Sequence, residues 1–359
     1  MTVDNSVTAG EAVAVNTAAA GAVTASTLAP HSASLAGAPP NEVNDAPPRR
    51  TGGVVRRVLG KLAGAIFVLW AVATLTFALL RFIPGDPVLL ILGTSGSPSA
   101  AVVDATRKAF GLDRPLLVQY LNFLGGAVRG DFGTSYQLKI PVTTVIGEQL
   151  PSTVQLVVAS VLLAWIISLL ITVPTAGRGP IVERIGRSVE IVLASLPHFW
   201  IGIMLLVVFA IGLGWFPVAG GAGLAGLFLP ALTLAIPIAG FLSQVMRESF
   251  EDALAQPFVT SARARGASDL RVRFGHALRH ALLPGVTLTG WAIGALFSGA
   301  VVAEVVFARP GIGRVLLSAV LSRDIPVVIG VVVVIAAVYV VVNAIVDILY
   351  PIIDPRLSR

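Results

Sequence analysis

Six long apolar stretches constrain this chain more than any other feature. They run over residues 58–83, 154–173, 189–213, 227–245, 285–307 and 326–350. A helix needs roughly 20 apolar residues to cross about 30 Å of hydrocarbon, and each stretch meets that length. The last contains the β-branched run from Val331 to Ile335. Such a run favours strand in water, but in lipid the backbone must satisfy its own hydrogen bonds, so helix is expected there too. Composition agrees. The chain of 359 residues is 55% hydrophobic and 12% charged, against about 25% charged in an ordinary soluble domain. A soluble enzyme, a disordered chain and a disulfide-built module are excluded. With no Cys at all, thiolate metal sites and Cys nucleophiles are excluded as well.

The formal charge is +6 and the pI about 10.3. In a soluble protein that balance suggests nucleic acid. In a chain with six spans it reports topology. With the N-terminus in the cytosol, sixteen of the 25 Lys and Arg residues fall on cytosolic segments and nine outside, which predicts both termini inside. No nucleic-acid partner is expected. Residues 1–48 hold four acids and no Lys or Arg. Neither a basic n-region nor a Leu-rich h-region of a signal peptide is present there, so a disordered cytoplasmic tail is expected. The outer loop over 84–150 is too long for a simple connector. Leu116, Tyr120, Leu121 and Leu124 recur in it at helical spacing, which predicts a helix on the membrane surface or an external helical cap.

The most charged segment is the connector over 247–283. It opens with Arg247, Glu248, Glu251 and Asp252, passes Pro257, and reaches Ala262-Arg263-Ala264-Arg265-Gly266. Gly266 suits the position just past a helix end, where positive φ is needed. Ser268 or Asp269 can cap the next helix. The spacing predicts Leu270, Phe274, Ala277, Leu278, Ala281 and Leu282 on one arc, with Arg273, His276, Arg279 and His280 on the other. Helix, glycine turn and amphipathic helix then lead into a span at Pro284. From the residues alone two readings stay open: a basic lipid-facing loop, and a rigid knuckle that docks a cytosolic partner.

Several motifs in fixed order resemble the permease subunit of peptide-type ABC importers, the dipeptide/oligopeptide/nickel family. They are Pro84-Gly85-Asp86-Pro87; Gly111-Leu112-Asp113-Arg114-Pro115; Gly130-Asp131-Phe132-Gly133; Leu150-Pro151-Ser152-Thr153; Leu196-Pro197-His198-Phe199-Trp200; the Ala262–Gly266 run; Leu282-Leu283-Pro284; Glu304 through Pro310-Gly311-Ile312-Gly313; and Arg323-Asp324. The resemblance covers all but the tail. It implies an all-α integral membrane protein with six transmembrane helices, in the type I importer permease fold with a helix-turn-helix coupling loop. The implied layout is a tail (1–48), a basic flank with the first span (49–83), the outer loop (84–150), a permease core (145–350) containing the coupling loop, and a cytoplasmic C-terminus (351–359). The resemblance further implies that the coupling loop, with Glu251, Ala262, Arg263, Ala264, Arg265, Gly266 and Arg279, meets an ATP-hydrolysing subunit. Gly85, Asp86, Pro87, Gly130, Asp131, Glu304, Pro310, Gly311 and Gly313 would form the extracytoplasmic and structural motif. The implied partners are a second homologous permease, two ATP-binding subunits, an extracytoplasmic solute-binding protein, a peptide substrate and the lipid bilayer. Nickel, opines or other peptide-like solutes are the alternative cargo. The chain departs from the family pattern at Pro257, Phe258, Gly275 and His280.

Other candidates carry less. His276 and His280 are spaced for a metal on one helix face, but no acid or Cys completes the set, so a polar docking face is expected. His198 is read as interfacial. Glu304 and Asp347 are expected to pair with nearby Arg at the two membrane faces. Gly290 and Gly294 predict close helix packing. Gly60-Lys61 is followed by Leu62, and position 55 is Val, so no phosphate-binding loop exists. ATP and its Mg are therefore expected on partner subunits, with no cofactor, metal or catalytic residue on this chain. A stand-alone ion-coupled carrier would show intramembrane ionisable residues, and a membrane-embedded enzyme a catalytic constellation. Neither is present.

Overall fold

The computed structural model describes residues 52–81, 86–92, 98–221 and 223–353. The expected tail, Gly85, Arg356 and the side chains of Pro87 and Asp347 lie outside the described residues. Among the described residues the long elements are all helices, in the order α1 (Gly52–Arg81), α2 (Pro87–Leu92), α3 (Ala100–Ala109), α4 (Leu116–Val128), α5 (Val142–Thr175), α6 (Pro180–Ser195), α7 (His198–Leu205), α8 (Gly223–Leu254), α9 (Pro257–Ala264), α10 (Asp269–Val272), α11 (Leu278–Val306), α12 (Ile312–Leu321) and α13 (Ile325–Ile353). Two π-helical turns extend the series: Leu206–Gly212 prolongs α7, and Arg273–Ala277 joins α10 to α11.

Among the described residues five helical runs are long and apolar enough to cross a membrane: Leu59–Leu79, Val142–Thr175, Gly223–Leu254, Asp269–Val306 and Ile325–Val346. The third apolar stretch, expected as a span over 189–213, belongs to a bent helix pair that would make a sixth span. It breaks between Ser195 and His198, and the two halves are bent by 97°. Leu196 is extended (φ −78°, ψ 128°), the conformation that a following proline ring favours. Pro197 then caps the new helix. The second and fourth spans overshoot the expected ends, because α5 begins at Val142 and α8 continues to Leu254.

α8 lies at the centre, packed between α5, α6 and α11. Its small and branched residues Ala231, Leu234, Ala235, Ile238 and Ala239 share one buried cluster with Leu156 and Ala164 of α5 and Leu296 and Ala300 of α11. Pro230 and Pro237 are buried inside α8 without ending it. In lipid, neighbouring helices can satisfy the carbonyls that a proline frees. α1 packs mainly on α13 and leaves Leu59, Ile66, Phe67 and Leu75 exposed. An apolar outward face is what a helix in hydrocarbon requires.

α4 carries the surface spacing read in the sequence, with Leu116, Leu117 and Leu121 exposed. Its Tyr120 hydroxyl meets Thr74 of α1 at 2.7 Å, and Phe77 of α1 stacks on Phe123. The outer segment is therefore helical and attached to the first span.

Candidate functional site

Two constructions stand out, at opposite ends of the bundle. The first is the knuckle at the end assigned to the cytosol by the arginine distribution. α9 ends at Ala264, Arg265 caps it, and Gly266 follows at φ +83°. That angle strains any residue with a Cβ, so glycine sets the turn. Ser268 accepts a hydrogen bond from the Arg271 backbone N–H at 3.4 Å and so caps α10. Ala262 does not face outward. It is buried with Val259 and Val272, and this small cluster clamps α9 to α10. The alternation of buried Ala262 with exposed Arg263, Ala264, Arg265 and Gly266 follows from that clamp.

Arg263, Arg265 and Arg279 are exposed, and Arg263 lies 3.6 Å from Asp269. Leu270 and Phe274, expected on the buried arc, are 62% and 58% exposed. Arg273, expected on the polar arc, is 2% exposed. The π-helical turn over Arg273–Ala277 explains the exchange. Each i→i+5 bond takes one more residue per turn than the regular helix, so the arc rotates as it passes. Below the turn, Ala277 and Ala281 are buried as the spacing predicts. His280 stacks on Phe258 with ring centroids 5.5 Å apart, and His276 lies 6.3 Å from the same ring. Among the described residues no group of His, Cys, Asp or Glu is arranged to hold a metal.

Glu251 is held by arginines of this chain. It accepts from Arg187 of α6 at 2.6 Å and lies 3.6 Å from Arg247. Arg247 is buried at 1% exposure, as is Glu190 of α6, and the two are paired at 2.6 Å. Sequence reading assigned Arg247 to the charged connector and passed over Glu190, which sits at the edge of an apolar stretch. The signal available was an acid inside that stretch, since an intramembrane or interfacial charge needs a partner.

The second construction ties the outer loop to the far ends of α5, α11, α12 and α13. Asp86 accepts from the Val88 backbone N–H at 2.9 Å and from Arg107 of α3. Pro87 opens α2. Gly130 turns the chain after α4 at φ +77°, and Asp131 accepts from the Gly133 N–H at 2.9 Å. Ser135 Oγ and the N–H groups of Tyr136 and Gln137 all donate to Asp324, which is buried between α12 and α13.

Glu304, buried at 0% exposure, was expected to pair with an Arg side chain. It accepts the Thr153 hydroxyl and, at 3.0 Å, the Arg314 backbone N–H in the first turn of α12. The buried Arg309 attracts the carboxylate electrostatically without a direct ion pair. A carboxylate at a helix N-terminus also meets unpaired N–H groups and the positive end of the dipole. Gly311 makes this possible: a Cβ there would overlap the Glu304 carboxyl. Gly313 lets α12 approach α11, where a Cβ would lie 2.7 Å from Val301 Cα. Pro310 accepts from Ser152 at 2.6 Å. Gly290 and Gly294 face Val346 and Tyr339 of α13, as close packing requires.

Residues 168–359 match the model of the binding-protein-dependent transport system inner membrane component. Residues 54–157 match the N-terminal model of the same system's membrane component. A peptide transport system permease protein of Brucella abortus (strain 2308) is 36% identical over 309 residues, covering 84% of this chain and 98% of its own length. The glutathione transport system permease protein of Salmonella choleraesuis (strain SC-B67) is 35% identical over 303 residues, with 84% and 98% covered. A crystal structure of an amino acid ABC transporter is similar at TM-score 0.45 and 13% identity, over 58% of this chain and 94% of that one.

Proposed function

The chain belongs to the binding-protein-dependent transport system inner membrane component family, and from that premise we propose how it works as the multi-pass permease subunit of a peptide-type ABC importer. Its cargo is a peptide or a peptide-like solute such as glutathione, the substrates in its relatives' names. The chain performs no covalent chemistry. ATP and Mg are held by two separate ATP-binding subunits, a second homologous permease completes the pathway, and an extracytoplasmic solute-binding protein delivers the cargo.

The observation that carries this reading is the knuckle. Arg263, Arg265, Leu270, Phe274 and Arg279 project from a turn fixed by Gly266 and clamped from inside by Ala262 and Val272. Two exposed apolar side chains among arginines suit a groove in a soluble partner, and a rigid turn transmits force without losing it to local bending. Closure of the ATPases pushes on this turn, the spans open outward, and cargo passes from the binding protein into the cavity. That is alternating access driven by differential binding of two states.

The test is ATP-dependent uptake in vesicles by the chain with and without its genomic neighbours. Uptake by the isolated chain would overturn the subunit role. A reporter fused after Ser268 reads cytoplasmic; an external signal there would reverse the orientation.

A further inference from the structure

Two buried arginines converge on the end of α5. Arg247 of α8 donates from Nε to Glu190 at 2.9 Å and from Nη2 to Thr175 Oγ1 at 2.6 Å. Arg273, in the π-helical turn, donates from Nη1 to the carbonyls of Val173 and Ala176 at 2.9 and 2.7 Å. These carbonyls belong to the last turn of α5 and have no helical N–H to accept, so a cation there meets both unpaired acceptors and the negative end of the dipole. The Nε of Arg273 reaches back to Asp269 at 2.8 Å, and its guanidinium lies 5.9 Å from the Phe250 ring of α8.

The contacts form a closed path. α9 is clamped to α10 by Val259, Ala262 and Val272. α10 is tied to α5 and α8 through Arg273. α5 and α8 are tied to α6 through Arg247, Thr175 and Glu190. α6 lies flush on α8, because a Cβ on Gly240 would collide with the Ala194 backbone and one on Gly186 with Thr175 and Arg247. Buried ion pairs of this kind give fixed geometry more than stability, because desolvation offsets their attraction. Beyond α6 the path reaches the 97° elbow at Leu196–Pro197, after which α7 packs on α8 and α11.

We infer that Arg247 and Arg273 are positioning residues that make the coupling knuckle, α6 and the cytoplasmic ends of α5 and α8 one rigid block, so that motion of the knuckle is delivered to the α6–α7 elbow. The inference rests on the docking reading above. The block carries the displacement across α6, and the elbow converts it into movement of α7.

The chain has no Cys, so spin labels can be placed at exposed Ser188 of α6, Ser261 of α9 and Val208 of the turn after α7. In the assembled transporter, the 188–261 distance stays the same between the nucleotide-free and vanadate-trapped states, while the 188–208 distance changes. A change in 188–261 overturns the rigid block, and an unchanged 188–208 distance overturns delivery to the elbow. Glu190→Gln broadens the 188–261 distribution and lowers uptake per ATP hydrolysed, with hydrolysis retained. Glu190→Asp, which keeps the charge, restores the ratio. Uptake and hydrolysis falling together in Glu190→Gln would count against positioning. The label pairs in the otherwise unchanged chain decide the matter if that variant does not assemble. Failure of the ATPase to protect the Ser261 label in the assembled complex sinks docking instead, and is read separately from either distance.

Discussion

Thr153 and Glu304, 151 positions apart in the chain, meet in the buried outer end of the bundle, where the threonine hydroxyl donates to the carboxylate. The same hydroxyl oxygen accepts from the Ile312 backbone N–H at 2.9 Å. One short side chain thus joins α5, α11 and the first turn of α12. Thr153→Val keeps the shape and removes both bonds. A buried group left unpaired costs about 1–3 kcal/mol, so the purified complex in detergent melts at a lower temperature than the parent. Thr153→Ser recovers most of the loss. A Val variant with the parental Tm would show that the junction is held elsewhere.

Asp324 gathers three donors from the outer segment at Ser135, Tyr136 and Gln137. Asp324→Ala releases all three at once. The segment over 129–141 should then be cut faster by protease added from the outer side, while cleavage of the cytoplasmic knuckle is unchanged. Equal cutting rates in parent and variant would refute the tether.

A Cβ at Gly266 would meet no atom within 4 Å, so only the backbone angle constrains the site. Forcing an ordinary residue into the left-handed region costs roughly 1–2 kcal/mol, and Asn tolerates it best. Co-purification of the ATPase should therefore fall in the order Gly, Asn, Ala, Val. Asp tolerates the angle much as Asn does, so Gly266→Asp inserts normally and loses the ATPase through the negative charge it sets among the exposed Arg263, Arg265 and Arg279. Retention of the ATPase across the whole series would remove the turn from the docking surface.

Gly294 of α11 faces the Tyr339 ring of α13, and a Cβ would lie 2.5 Å from Cε2. Gly294→Ala overpacks the contact and destabilises by about 1–3 kcal/mol. Adding Tyr339→Ala opens space and returns part of the stability. Additive losses in the double variant, measured by thermal unfolding in detergent, would place the two residues out of contact.

Much of the site was legible in the chain because local rules govern it. The Gly266 turn and the Ser268 cap follow from residue type and position, since a positive φ and an exposed N–H group are local facts. The pairs Gly290–Val346 and Gly294–Tyr339 were half legible: small residues on a span announce a close neighbour but do not name it. The rotation of Leu270, Phe274 and Arg273 was not legible, because regular 3.6-residue periodicity carries no sign of a π-helical turn.

The sequence by itself determined that this chain crosses a membrane several times as helix, because six apolar stretches in a chain with 12% charge admit little else. It also determined which segment bears the positive charge and where that segment turns. Only the tertiary structure decided which charges are buried and what satisfies them. Glu304 finds its direct hydrogen bonds at the Thr153 hydroxyl and the Arg314 backbone N–H, and Arg247 and Arg273 find Glu190 and the carbonyls ending α5. The cost of burying a charge is set by the partners within a few ångströms, and those partners are brought together by helices far apart in the chain.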